Sequence, residues 1–149
     1  MKKILVSACL TGECCRYDGR SKSCTDPVFL KWMEEGRLVP VCPEMDGGLS
    51  VPRDPCQRCG EEVLTQSGRR CTDEYTRGAQ LALEAAKKQE VVCCIMKESS
   101  PSCGVHEIYD GSFTDRKISG QGISTELLRK NGFVVFSENE IELAEKLIR

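Results

Sequence analysis

The chain has 149 residues, 40% of them apolar and 30% charged, which is enough apolar material for one globular domain with its own core, read here as residues 1–149. A formal net charge of −2 gives no general basic field, so a nucleic acid polymer is not expected as a partner. Eleven cysteines then make the compartment decisive. The opening segment, from Met1 to Cys9, imitates a lipoprotein signal but offers only Ile4, Leu5 and Val6 where a signal needs about 7–15 apolar residues. No segment approaches the roughly 20 apolar residues of a membrane span. The expected setting is the cytoplasm, with no membrane contact, and there thiolate metal chemistry outranks a disulfide framework.

Taken in order, Lys3–Ala8 reads as a buried strand, followed by a loop that runs from Cys9 through Gly12 to Gly19. Asp26-Pro27 is an N-cap with proline in the first helical position; Val28, Leu30, Trp32 and Met33 supply apolar side chains up to a stop at Gly36. A second strand spans Leu38–Val41. From Ser50 to Thr72 prolines and glycines punctuate the chain, and Val63-Leu64 is expected to pair with Arg69–Cys71 around Gln66-Ser67-Gly68. Thr72 or Asp73 caps a helix over Glu74–Gln89, whose packing stripe is Leu81, Ala82, Ala85 and Ala86. Glu90–Met96 forms a third strand. Asp110-Gly111 signals a hairpin between Glu107–Tyr109 and Ser112–Thr114. A helix at Ile123–Lys130, a strand at Phe133–Phe136 and a helix capped by Ser137, with Ile141, Ala144, Leu147 and Ile148 on one face, complete the chain. Alternating strands and helices imply an α/β, three-layer domain with a mostly parallel, Rossmann-like central sheet.

Three cysteines follow strands directly or through a short loop: Cys9, Cys42 in Cys42-Pro43-Glu44, and Cys103 after Lys97–Ser102. If their strands are neighbours in one parallel sheet, the thiols converge at its carboxyl edge, where α/β folds build sites. Gly47-Gly48 permits close approach to the backbone beside them.

These segments also carry a resemblance. Ser7-Ala8-Cys9-Leu10 with Cys15-Arg16-Tyr17-Asp18-Gly19, Val41–Glu44 with Gly47-Gly48-Leu49 and Pro52-Arg53, Ser100–Gly104, and Gly120-Gln121-Gly122 before the Leu127-Leu128 helix are similar to the 2-thiouracil desulfurase family, over Ser7 to about Glu138. The resemblance implies an enzyme that removes sulfur from a thiolated nucleobase without net redox chemistry, turning 2-thiouracil into uracil and hydrogen sulfide. It implies a [4Fe–4S] cluster held by Cys9, Cys42 and Cys103, with Glu44 and Ser100 near the substrate. The residue types agree: thiolates hold such clusters, and three ligands on four irons leave an open Lewis-acidic position for a soft sulfur donor. The ligand gaps of 33 and 61 residues differ from the compact spacing of ferredoxins. Glu44 is then a proton carrier, Ser100 an orienting group, and Arg53 and Gly48 substrate-binding candidates. The expected partner is a small thiolated heterocycle, bound by a monomer or homodimer.

Competing readings remain open at this stage. Cys15 rivals Cys9 as a ligand, whereas Cys93 and Cys94 inside a strand read as small buried hydrophobes. Cys56-Gln57-Arg58-Cys59 has metal-ligand spacing, so a non-catalytic zinc or iron–sulfur module is an alternative, with Cys71 and Cys24 completing the ligands. A thiol oxidoreductase using Cys56 and Cys59 is another, although its CxxC would have to open a helix after a strand. Asp18 and Lys97 are lesser candidates, His106 reads as incidental, and Gly120-Gln121-Gly122 reads as a helix start.

Overall fold

The computed structural model describes all 149 residues. In chain order the elements are β1 (Ile4–Ser7), α1 (Pro27–Glu34), β2 (Leu38–Val41), the short α2 (Pro43–Asp46), β3 (Cys56–Cys59) and β4 (Glu62–Thr65). They continue with α3 (Thr72–Lys88), β5 (Cys93–Met96), β6 (Glu107–Tyr109), β7 (Lys117–Ser119), α4 (Ile123–Lys130), β8 (Val135–Ser137) and α5 (Ile141–Ile148). No helix is long and apolar enough to cross a membrane.

The central sheet has the order β2-β1-β5-β8 with every pair parallel. Its two inner strands, β1 and β5, are buried along their whole length, which is why both are continuous apolar runs. Pro40 sits in the edge strand β2, where a missing N–H is tolerated. Side chains alternate between the faces. Ile4, Val6, Cys93 and Ile95 pack on Phe29 and Trp32 of α1 and on Ile141, Ala144 and Ile148 of α5. Leu5, Cys94 and Met96 pack on Ala82, Leu83 and Ala86 of α3 and Leu128 of α4. This is the expected three-layer α/β architecture. Cys93 and Cys94 are fully buried within it.

The topology sets the site. From β1 the chain moves outward to β2, then crosses back to β5 on the other side, so the connections diverge between β1 and β5. Ligands in open α/β sheets bind outside the carboxyl ends at such a divergence. Cys9 follows β1 in a turn of 3-10 helix at Ala8–Thr11, Cys42 is the residue before α2, and Cys103 lies in the loop after β5.

Several local expectations are corrected. Asp26 caps α1 through Val28 and Phe29 N–H, but Phe29 is buried while Leu30 and Met33 face solvent, because the sheet takes the face carrying Phe29 and Trp32. Likewise Leu83 replaces Leu81 on the stripe of α3, and Leu147 lies off the buried face of α5. Thr72 does not cap α3: its hydroxyl accepts from Val63 N–H and donates to Glu62. Ser137 closes β8 and accepts from Asn139 N–H in a turn that precedes α5. Glu90 has φ 52° and is still leaving α3, so the third sheet strand begins only at Cys93.

The antiparallel segments agree with expectation in part. β4 turns back onto Arg69–Cys71 as expected, through a bridge between Leu64 and Arg70 and the bonds Thr65 N–H to Arg69 O at 2.9 Å and Cys71 N–H to Val63 O at 2.8 Å, and it also pairs with β3 on its other side, Cys56 opposite Thr65. β6 pairs with β7 rather than with Ser112–Thr114. Asp110, Ser112 and Thr114 instead bond to one another in a wider loop, and Gln57 Oε1 holds its Gly111 and Phe113 N–H groups at 3.0 and 3.2 Å.

Candidate functional site

A cavity of about 560 Å³ opens at the carboxyl edge of the sheet. Cys9, Cys42 and Cys103 all line it, as do Cys15 and Cys56. Each of the three strand-end thiols lies near enough to another for its charge to be felt: Cys9 responds to Cys42, and Cys103 to both. Burial pushes the Cys9 thiol up to about 11, against the pull of Lys97, and raises Cys103 further. Cys42 moves the other way, chiefly because Cys15 donates a hydrogen bond to it, and Cys15 is raised in return. The cysteines are free, with no disulfide in the chain.

An all-thiol donor set on the wall of a roomy cavity fits an iron–sulfur cluster, which needs several thiolates spread over a body wider than one ion. No group of three cysteine, histidine or acidic residues closes around one point tightly enough for a single ion. The zinc alternative is corrected by where its own ligands lie. Cys56 is buried against Cys71 and Tyr75, whereas Cys59 is exposed, because residues three apart on a strand face opposite sides. Cys24 packs against a different cluster, around β1 and α1. The same alternation removes the Cys56/Cys59 oxidoreductase reading, since the motif lies inside β3 and opens no helix.

Glu44, in the first turn of α2, reaches the same cavity with its side chain 16% exposed. Its Oε1 accepts from Tyr75 Oη at 2.8 Å, from Arg53 Nε at 3.1 Å and from Arg53 Nη2 at 3.1 Å. Its Oε2 faces Ser100 Oγ at 3.4 Å. Ser100 in turn accepts the N–H groups of Ser102 and Cys103, each at 3.1 Å, so Glu44 and the Cys103 loop meet at one hydroxyl. Arg53 also lines the cavity and donates to the carbonyls of Ser50 and Cys15, so most of its N–H groups are taken by protein acceptors. Its main engagement is with the Glu44 carboxylate. Gly48 lies outside the cavity lining; with φ 110° it turns the chain after α2.

Gly47 has a different role. A Cβ there would come within 1.9 Å of Glu74 O, and one on Gly78 within 1.8 Å of Pro43 O, so α2 and α3 touch backbone to backbone. Gly122 is similar, since a Cβ would meet Ser102 C at 2.3 Å; the Gly120–Gly122 segment packs the Cys103 loop onto α4 and is no anion cradle. Lys97 lines the cavity and pairs with Glu138 at 3.0 Å. Asp18 accepts only Arg20 N–H among protein groups, and His106 bonds Glu140 at 2.7 Å on the surface.

Two residues the sequence reading missed are Tyr75 and Glu98. Tyr75 falls on the spacing 75, 79, 82, 86 that marks the buried face of α3, a signal legible in the sequence. Glu98 carries no such signal. Its Oε1 accepts the N–H groups of Val105, His106, Glu107 and Ser99, at 2.7 to 3.3 Å, and thereby folds the loop bearing Cys103. Burial works to raise its pKa, but the four amides outweigh it and hold the carboxyl below its ordinary 4.5. A depressed pKa means the stabilisation is present above about 4.5 and is lost as pH falls through the lower folded value. Metal-free wild type should therefore melt higher than Glu98→Gln at pH 7, with the gap closing as the pH falls below about 4.5. A gap that does not change with pH would show that the carboxylate charge plays no part.

Comparison with known proteins gives three matches. A model of the family described as 2-thiouracil desulfurase matches residues 4–140. The protein YbbK of Bacillus subtilis (strain 168) is 42% identical over 148 residues, covering 93% of this chain and 97% of its own. A solved structure of a [4Fe–4S]-dependent thiouracil desulfidase, TudS, superposes with a TM-score of 0.96 at 46% identity, covering 99% of this chain and 98% of that one.

Proposed function

Because the chain belongs to the 2-thiouracil desulfurase family, we propose that it is a [4Fe–4S]-dependent enzyme that converts 2-thiouracil and water to uracil and hydrogen sulfide. The observation that carries this reading is the meeting, on one cavity wall, of three strand-end thiols with a Glu44–Ser100 pair bonded to the Cys103 loop. Cys9, Cys42 and Cys103 are the residues that would hold the cluster. Bound there, the cluster supplies a Lewis-acidic iron with an open position suited to a soft thiocarbonyl sulfur.

The chain's own groups do the rest. Glu44 takes a proton from the attacking water at Oε2 and returns it to the departing sulfur or ring nitrogen. Ser100, held by two amides, orients the ring with its hydroxyl. The mostly enclosed carboxylate and the buried Cys9 and Cys103 thiols limit competing water, so their charges act in a poorly screened environment. Cycling a proton between water and product leaves no net electron transfer, so no redox partner is needed. Residues 1–149 act as one domain in the cytoplasm, as a monomer or homodimer, on a free thiolated base; the charge of −2 supports a small substrate over a nucleic acid polymer.

The test is anaerobic reconstitution with iron and sulfide, followed by incubation with 2-thiouracil. Uracil and sulfide should appear in equal amounts without added reductant. A fully loaded protein that forms no uracil removes the substrate assignment.

A further inference from the structure

Glu44 is bound unevenly. Three donors converge on Oε1, two of them from Arg53 and one from Tyr75, while Oε2 has only the long contact to Ser100. Hydrogen bonds to a charged acceptor are among the stronger ones a protein makes, and three on one oxygen hold the whole carboxylate in one orientation. Rotating it to exchange its oxygens would break all of them together.

We propose that Tyr75 is a positioning residue for the reaction: with Arg53 it clamps Oε1 and thereby reserves Oε2 of Glu44 for proton exchange with the cavity. The proposal rests on the desulfuration reading above. The clamp is built into the fold on both sides. Tyr75 is 1% exposed, in the first turn of α3, with its ring packed among Cys56, Val63 and Cys71. The backbone contact of α2 with α3 through Gly47 and Gly78 brackets it, since Glu74 and Gly78 are the α3 residues involved. That contact fixes the distance from the phenol to the carboxylate. Arg53 is held away from other rotamers by the carbonyls of Ser50 and Cys15. Burial first, and the neighbouring Glu44 second, keep the Tyr75 phenol protonated, so it remains a donor.

A merely structural tyrosine and a positioning one differ in what they move. In the reconstituted protein, Tyr75→Phe keeps the ring and loses one donor, so iron and sulfide content should match wild type. The kcat should fall about 10-fold, with KM within about twofold. In the Glu44→Gln background the same change should cost nothing more, because the hydroxyl acts only through Glu44. Isotope-labelled glutamate supplies a readout independent of activity: the infrared carboxylate bands assigned by subtraction of Glu44→Gln should shift in Tyr75→Phe. Wild-type kcat in Tyr75→Phe overturns the proposal, and so does an equal loss in the Glu44→Gln background or a loss of iron. A wild type that makes no uracil overturns the desulfuration reading instead, and unshifted infrared bands then overturn the clamp separately.

Discussion

Glu44→Gln is expected to retain its full complement of iron and sulfide and to lose roughly 10²–10⁴-fold in the rate of uracil formation, the usual cost of removing a positioned general acid–base. The side chain is isosteric, and its amide oxygen can still accept from Tyr75 and Arg53, the donors now on Oε1. The contact between α2 and α3 and the Cys103 loop should therefore survive. What glutamine cannot do is take a proton from water and give it back. Iron content and turnover measured on one anaerobic sample decide the point. Turnover near wild type would remove Glu44 from proton transfer, and loss of iron would make it a structural support of the cluster site.

Cys9→Ala, Cys42→Ala and Cys103→Ala should each reduce bound iron and sulfide to background, since each removes one of three thiolates. Cys93→Ala and Cys59→Ala should keep a full cluster: Cys93 packs inside β5 and Cys59 is exposed on the hairpin. Cys15 is the informative case. It lines the cavity with its thiol against Cys42, but unlike the three proposed ligands it does not follow a strand. Cys15→Ala is expected to retain iron. A full cluster in Cys9→Ala, with loss in Cys15→Ala, would transfer the ligand role.

The α/β architecture was readable because its determinants are local. Ile4-Leu5-Val6 and Cys93–Met96 are continuous apolar runs that suit only strands covered on both faces, and Asp26-Pro27 opens a helix through its own backbone preferences. The residues Cys9, Cys42, Glu44 and Cys103 stood out for a similar reason, since each follows a strand and parallel strands with right-handed crossovers place such positions along one edge, whereas Ser100 was indicated only by the family resemblance. The errors came where a choice of partner was made by the rest of the chain. Val63-Leu64 met Arg69–Cys71 as expected but gained Cys56–Cys59 on its other side, and Tyr109 met Lys117 rather than Ser112, because Gln57 and the side chains of Asp110, Ser112 and Thr114 hold the intervening loop open. Which face of α3 is buried depends on the sheet it covers, so Leu83 and Leu81 could not be told apart by composition.

The chemistry available to the chain, a set of thiols and a carboxylate at strand ends, thus followed from residue type and strand position. Their working relation did not. Tyr75 lies 31 residues from Glu44, Ser100 lies 56 residues from it, and Arg53 is joined to it across the turn after α2. Those bonds exist because α2 and α3 approach to backbone contact through Gly47 and Gly78, and because Glu98 gathers four amides to fold the Cys103 loop. Both depend on packing between segments far apart in the chain, which periodicity within one segment does not record.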